Sequence, residues 1–142
     1  MLKEWFEREW AQYYGPDGTG DANKDLYDSC NRDELPVALV AISDGEICGT
    51  AALKVESVST HKHLSPWLAA LFVIPRFRHH GIGERLIAAV EEKAEQLGFH
   101  RLYVGTSEGS GTPESLLRKR GWEFVEKGPY FVSEILIFQK AL

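Results

Sequence analysis

Between Pro75 and Glu84 the chain places Arg76, Arg78, His79 and His80 directly before two glycines, Gly81 and Gly83. Basic side chains beside glycines that let a main chain approach closely are the ingredients of an anion site. The chemistry depends on what flanks them. Upstream, Trp67-Leu68-Ala69-Ala70-Leu71-Phe72-Val73-Ile74 is an apolar run long enough for one strand buried on both faces, and Pro75 stops it. Downstream, Leu86, Ile87, Val90, Ala94 and Leu97 recur at helical spacing until Gly98 closes the helix. The first N–H groups of such a helix have no partner within it and lie at the positive end of its dipole, where a phosphate satisfies them.

The same strand, loop and helix could be an ordinary connection whose glycines solve only a backbone problem. The loop lacks the third glycine of a dinucleotide fingerprint and the Gly-Lys-Ser/Thr ending of a nucleoside-triphosphate loop, so both of those ligands are disfavoured. What it resembles is the acyl-CoA signature of the GNAT (Gcn5-related) N-acetyltransferases. Arg78-x-x-Gly81-x-Gly83 carries the resemblance, between the strand Leu71 to Pro75 and an amphipathic helix. The downstream order agrees, with a strand Arg101 to Thr106, a short helix, and Arg120-Gly121-Trp122-Glu123-Phe124, similar to the family's closing motif. The resemblance covers roughly residues 37 to 140.

That resemblance implies an α/β (α+β mixed) fold in a single domain over residues 1–142. Its sheet is mixed and mostly antiparallel, of six or seven strands, splayed at the cofactor site and flanked by about four helices. It implies acetyl-CoA as acyl donor, held by Leu71, Phe72 and Val73 on one strand, by Arg78, His79, His80, Gly81, Ile82, Gly83 and Glu84 at the loop and helix start, and by Thr106 across the splay. An amine would attack the thioester directly, with a backbone N–H near Val73 stabilising the oxyanion, a donor worth ~3 kcal/mol. A lysine amine near pKa 10.4 must give up a proton at a cost of about 4.6 kcal/mol at pH 7, an α-amine near 7.8 only about 1 kcal/mol. Glu56, at a strand end near the loop, is the candidate base, with Glu108 behind it. Either could equally be a surface glutamate.

The sequence departs from the family at one informative place. Many relatives carry a tyrosine four residues before the closing glycine, where it protonates the departing thiolate. Here the residue is Leu117. Tyr130 is the first substitute, although a strand aromatic packed on the sheet explains it as well. The missing acid also motivates a reading from another class, a non-catalytic acyl-CoA-binding or regulatory module.

Composition narrows the partners. At 142 residues, 44% hydrophobic and 26% charged, the chain can bury a core without staples. A net charge of −5 and a pI near 5.5 argue against nucleic acid, and suit a small-molecule or peptide amine that is cationic. No run approaches the ~20 apolar residues of a membrane span, and the N-terminus is no signal peptide, so the expectation is cytoplasmic with no membrane partner. Cys30 and Cys48, without C-x-x-C spacing, read as plain thiols. Family habit makes a homodimer an open expectation.

The remaining elements follow in order. Residues 1–14 read as an aromatic-rich amphipathic helix, either core or a wall of the acceptor pocket, and residues 15–20 as a turn-rich loop, a lid or a connection. A short second helix spans 21–32. Strands at 37–42 and 47–55 flank an Asp44-Gly45 hairpin turn. Residues 56–66 form a polar connection; its His61 and His63 lack a Cys or Asp to complete a metal set, and no metal is expected. Thr112 and Pro113 are read as N-cap and first residue of a helix ended by Gly121. Gly128-Pro129-Tyr130-Phe131 reads as a turn into the last strand, 132–139.

Overall fold

The computed structural model describes residues 34–55, 57, 61, 63–107, 113–130 and 133–142, with the side chains of 129, 130 and 133 excepted. The helices expected over 1–14 and 21–32 lie outside these residues, as does Cys30.

Among the described residues six strands form one sheet: β1 (Val37–Ser43), β2 (Glu46–Lys54), β3 (Trp67–Val73), β4 (Arg101–Thr106), β5 (Glu123–Tyr130) and β6 (Ser133–Ala141), in the order β1-β2-β3-β4-β6-β5. Every neighbouring pair is antiparallel except β3 with β4, so the sheet is the mixed, mostly antiparallel one expected. The parallel pair needs a crossover, supplied by α1 (Ile82–Gln96). A shorter helix, α2 (Glu114–Lys119), connects β4 to β5.

Local sequence explains most boundaries. Asp44 (φ 50°) and Gly45 (φ 80°) both take left-handed backbone, which a two-residue hairpin turn of the I′ kind requires. Helix α1 ends where Gly98 (φ 89°) lets the Phe99 N–H donate back to Ala94. Helix α2 starts one residue later than expected: Pro113 (φ −70°, ψ 141°) is the cap, and its fixed ring leads into Glu114 without a side-chain cap. The turn expected at Gly128-Pro129-Tyr130 is strand instead. Among the described residues β5 is the sheet's edge, where one row of N–H groups has no strand to bond, so Pro129 is tolerated.

The core lies between the sheet and α1. Leu86, Ile87, Val90 and Ala94 from the helix meet Ala51, Leu53, Leu68, Leu71, Leu102, Val104 and Phe138 from the strands, and all are buried. Leu117 and Trp122 belong to the same cluster. On the opposite face Trp67, Ile135 and Ile137 form a smaller one with Leu64 and Tyr103.

Candidate functional site

Strand β3 is not regular, and its irregularity builds the site. Ala52 pairs with Ala69 and Thr50 with Phe72, so two residues of β3, Ala70 and Leu71, oppose Ala51 alone. This is a β-bulge, with Ala70 at φ 53°. In an unbroken strand Leu68 and Leu71 would face opposite ways; the bulge turns both toward α1.

The bulge also ends the pairing with β4. Trp67 registers with Tyr103 and Leu68 with Val104, and there the register stops. Beyond that point β3 stays bonded to β2 as far as Val73, and β4 to β6 as far as Thr106. The two strands thus diverge, opening a gap between Leu71–Val73 and Gly105–Thr106; the splay was expected to begin at Tyr103, which the register pairs with Trp67 instead. Ile74 donates its N–H to the Cys48 carbonyl at 2.9 Å. By strand alternation the N–H and C=O of Val73 turn the other way, into the gap.

The basic loop closes one end of this gap. A 3₁₀ turn, Pro75–Phe77, follows the strand, and then His79 (φ 67°) and Gly81 (φ 82°) bend the chain into α1. The first helical bond runs from Arg85 N–H to Gly81 O (3.1 Å), and Gly81 has no side chain to cap the N–H groups ahead of it. The two glycines have different reasons. Gly81 is demanded by its backbone angle. Gly83 is not: a Cβ there would find its nearest neighbour, Val73 Cγ2, at 3.9 Å, an ordinary contact. Among the described residues a Cβ over Gly83, beside the helix start, is therefore accommodated.

The loop's charges are already oriented. Arg78 Nε donates to the Val73 carbonyl (2.9 Å), and its guanidinium lies over the Phe72 ring, 5.5 Å from the centroid. The side chain is folded back along the gap. His80 Nδ1 donates to the carbonyls of Arg78 (2.8 Å) and Phe77 (3.2 Å), which fixes that nitrogen as the protonated one and turns Nε2 outward. Arg76 pairs with Glu46 at 2.6 Å, both exposed. Glu84, whose negative charge would oppose an anion at the helix start, is engaged by Lys119 (3.3 Å) and Arg120 (3.6 Å).

Of the residues expected to hold the donor, Leu71, Phe72, Val73, Arg78, His79, His80, Gly81, Ile82, Gly83, Glu84 and Thr106, the structure gathers all along this gap and its loop. The proton-transfer candidates stand differently. Glu56 and Glu108 lie outside the described residues. Tyr130 ends β5 opposite Ser133, and its side chain lies outside them too. Leu117 is fully buried in the main core, which explains why an apolar residue occupies it.

Two arrangements escaped the sequence reading. His61, expected on a solvated loop, is only 7% exposed, and its Nε2 lies 2.9 Å from Glu126 Oε1 on β5. Nothing in the local sequence signals this, because the partners are 65 residues apart. The second is Glu91, on the buried face of α1. It accepts bonds from Arg120 (2.8 and 3.2 Å), Trp122 (3.0 Å) and Lys140 (2.9 Å). Burial by itself would raise its pKa, but the bonds from Arg120, Lys140 and Trp122 outweigh that and hold the carboxyl below its ordinary 4.5. A signal existed here: Glu91 falls four residues after Ile87 and three before Ala94, on the apolar stripe.

A split sheet with a glycine-started helix at the mouth of the gap is the arrangement the sequence resemblance implies, and comparison with known proteins agrees. The acetyltransferase (GNAT) family profile matches residues 2–122, and the chain belongs to that family. An IAA acetyltransferase of Azospirillum brasilense is 29% identical over 92 residues, 65% of this chain; the chain spans little more than half of that relative, 56%. Among solved structures, an aminoglycoside 6'-N-acetyltransferase complexed with coenzyme A superposes with a TM-score of 0.75 at 18% identity, covering 99% of this chain and 88% of the other. A ribosomal-protein-alanine N-acetyltransferase from Brucella melitensis gives 0.73 at 24%, covering 99% and 89%. These likenesses establish the fold. Among the described residues no group of His, Cys, Asp or Glu could hold a metal ion, and no helix is long and apolar enough to cross a membrane.

Proposed function

We propose that the protein is an N-acetyltransferase that passes the acetyl group of acetyl-CoA to a primary amine by direct attack in a ternary complex. The observation that carries this is the β3/β4 gap with the Val73 N–H turned into it, ending at a helix where a Cβ over Gly83 is accommodated. The pantetheine arm would lie in the gap and bond the edge of β3. The diphosphate would rest on the first N–H groups of α1, with Arg78 and the outward nitrogen of His80 nearby. Val73 N–H would meet the developing oxyanion, where one placed donor is worth ~3 kcal/mol. The coenzyme A in the related aminoglycoside enzyme supports the donor, and its name and that of the alanine N-acetyltransferase support an amine acceptor. The net charge of −5 favours a cationic one.

Calorimetric titration with acetyl-CoA tests the site. Micromolar binding that Gly83→Trp abolishes is expected, with the variant's fold checked by circular dichroism. No binding at millimolar acetyl-CoA by folded protein would sink the proposal. The burial of Leu117 at the family's tyrosine position favours the second reading, a non-catalytic acyl-CoA-binding module. Thiol release in an amine panel separates the two, and Glu56→Gln and Tyr130→Phe test the roles read for those residues, each expected to lower turnover only if the first reading holds.

A further inference from the structure

We propose that Gly49 is a positioning residue of the donor site, holding its thioester end and its diphosphate end at one fixed separation; this rests on the acetyltransferase reading above. A glycine inside a strand weakens it and calls for a reason. Backbone angle is not the reason here, because Gly49, unlike Gly45, Gly81, Gly98 and Gly121, does not take positive φ. The reason is space. A Cβ on Gly49 would lie 2.9 Å from the Phe72 carbonyl oxygen, 3.0 Å from Leu86 Cδ1 and 3.5 Å from Ile82 Cγ2. The first distance is closer than a Cβ approaches another atom, and a strand carbonyl cannot rotate aside as the end of Leu86 can.

Three elements of the proposed site meet at this point. Gly49 of β2 pairs with Val73 of β3, and its neighbour Cys48 accepts the Ile74 N–H at 2.9 Å. Ile82, facing the same glycine, is the first residue of α1. The loop that joins Val73 to Ile82 is exposed along most of its length, from Pro75 to Gly81, so buried packing within it does not set their distance. The body of α1 is held on the sheet by Leu86, Ile87, Val90 and Ala94, and its first turn meets β2 at Gly49. Separation matters because the donor is one covalent molecule. Its pantetheine arm ties the thioester to the diphosphate, so both ends engage together only where strand and helix stand at a matching distance. A methyl group on Gly49 presses the end of β3 and the start of α1 away from β2. In the free protein movement relieves that strain, and engaging both ends of the donor restores it.

A glycine that only lets the core pack would affect every ligand alike, so the test compares two. Acetyl-CoA spans both ends of the site, whereas 3'-phospho-ADP, the nucleotide half of the donor, reaches the helix start alone and follows the helix if it moves. Each is titrated calorimetrically into the wild type and Gly49→Ala, with the fold checked by circular dichroism. Affinity for acetyl-CoA should fall about 10- to 10²-fold in the variant, the overpacking strain appearing as a loss of binding. Affinity for 3'-phospho-ADP should stay unchanged. An unchanged affinity for acetyl-CoA, or an equal fall for both ligands, overturns the assignment. If Gly49→Ala does not fold, Leu86→Val, which withdraws the Cδ1 atom from the contact, is measured with and without it. The added methyl still presses the Phe72 carbonyl, so the same selective loss should appear between those two variants, and its absence overturns the assignment. Wild type that binds acetyl-CoA but not millimolar 3'-phospho-ADP overturns this inference alone, because the helix start then holds nothing to be spaced. Failure of the wild type to bind acetyl-CoA overturns the acetyltransferase reading and this inference together.

Discussion

Glu91 and Glu126 each meet basic groups, and the two contacts are built in opposite ways. Glu91 is buried on α1 and accepts four donated bonds from three side chains, which themselves come from the end of α2, the approach to β5 and the end of β6. Its oxygens are satisfied from several directions, so it ties the helix to the far half of the sheet and has no room for another partner. Glu126 is half exposed on an edge strand and engages one imidazole. A carboxylate saturated by fixed donors holds a fold together. One held by a single imidazole at a half-exposed edge holds much less.

The contrast can be broken from the Glu91 side first. Glu91→Ala leaves Lys140 and the Trp122 N–H without their acceptor and Arg120 with Glu84 alone, and should cost about 3–5 kcal/mol in urea unfolding at pH 7, whereas Glu126→Ala should cost under about 1 kcal/mol. Equal losses would erase the distinction. Gly128→Ala comes next: the new methyl pushes on the His61 ring, and about 1–3 kcal/mol of overpacking should appear in the same assay. A neutral effect would mean the ring is not held where β5 places it.

Acid sharpens the comparison further. The folded pKa of Glu91 is depressed, so its contribution is fully present above the ordinary 4.5 and is lost as pH falls through the lower folded value. The stability gap between the wild type and Glu91→Gln should therefore close below about pH 4.5, as followed by thermal melts, and a gap constant with pH would remove the carboxylate from that role. The smallest effect belongs to Arg76→Ala. Its pair with Glu46 is exposed on both sides, and the loss should stay within about 0.5 kcal/mol.

Much of the site was legible before any coordinates, for reasons confined to short stretches of chain. Pro75 had to end β3, Gly81 had to supply a left-handed residue before α1, and the apolar stripe of α1 could face only a sheet. Asp44-Gly45 and Gly98 set their turns and caps by backbone angle alone. Other features were misread or missed. Gly128 to Tyr130 looked like a turn because glycine and proline stood together, and only the strand's place at the sheet edge makes them compatible with β structure. His61 looked solvated because its neighbours in sequence are polar.

The sequence by itself determined the order of elements and the glycine-opened helix that defines the family, because these depend on propensities, caps and periodicities read within a few residues. Tertiary structure alone decided that Ala70 bulges so that β3 parts from β4, that His61 crosses to Glu126, and that Glu91 gathers its donors from three distant segments. Each of these depends on which strands become neighbours and in what register, and pairing energies between residues tens of positions apart leave no local trace in the chain.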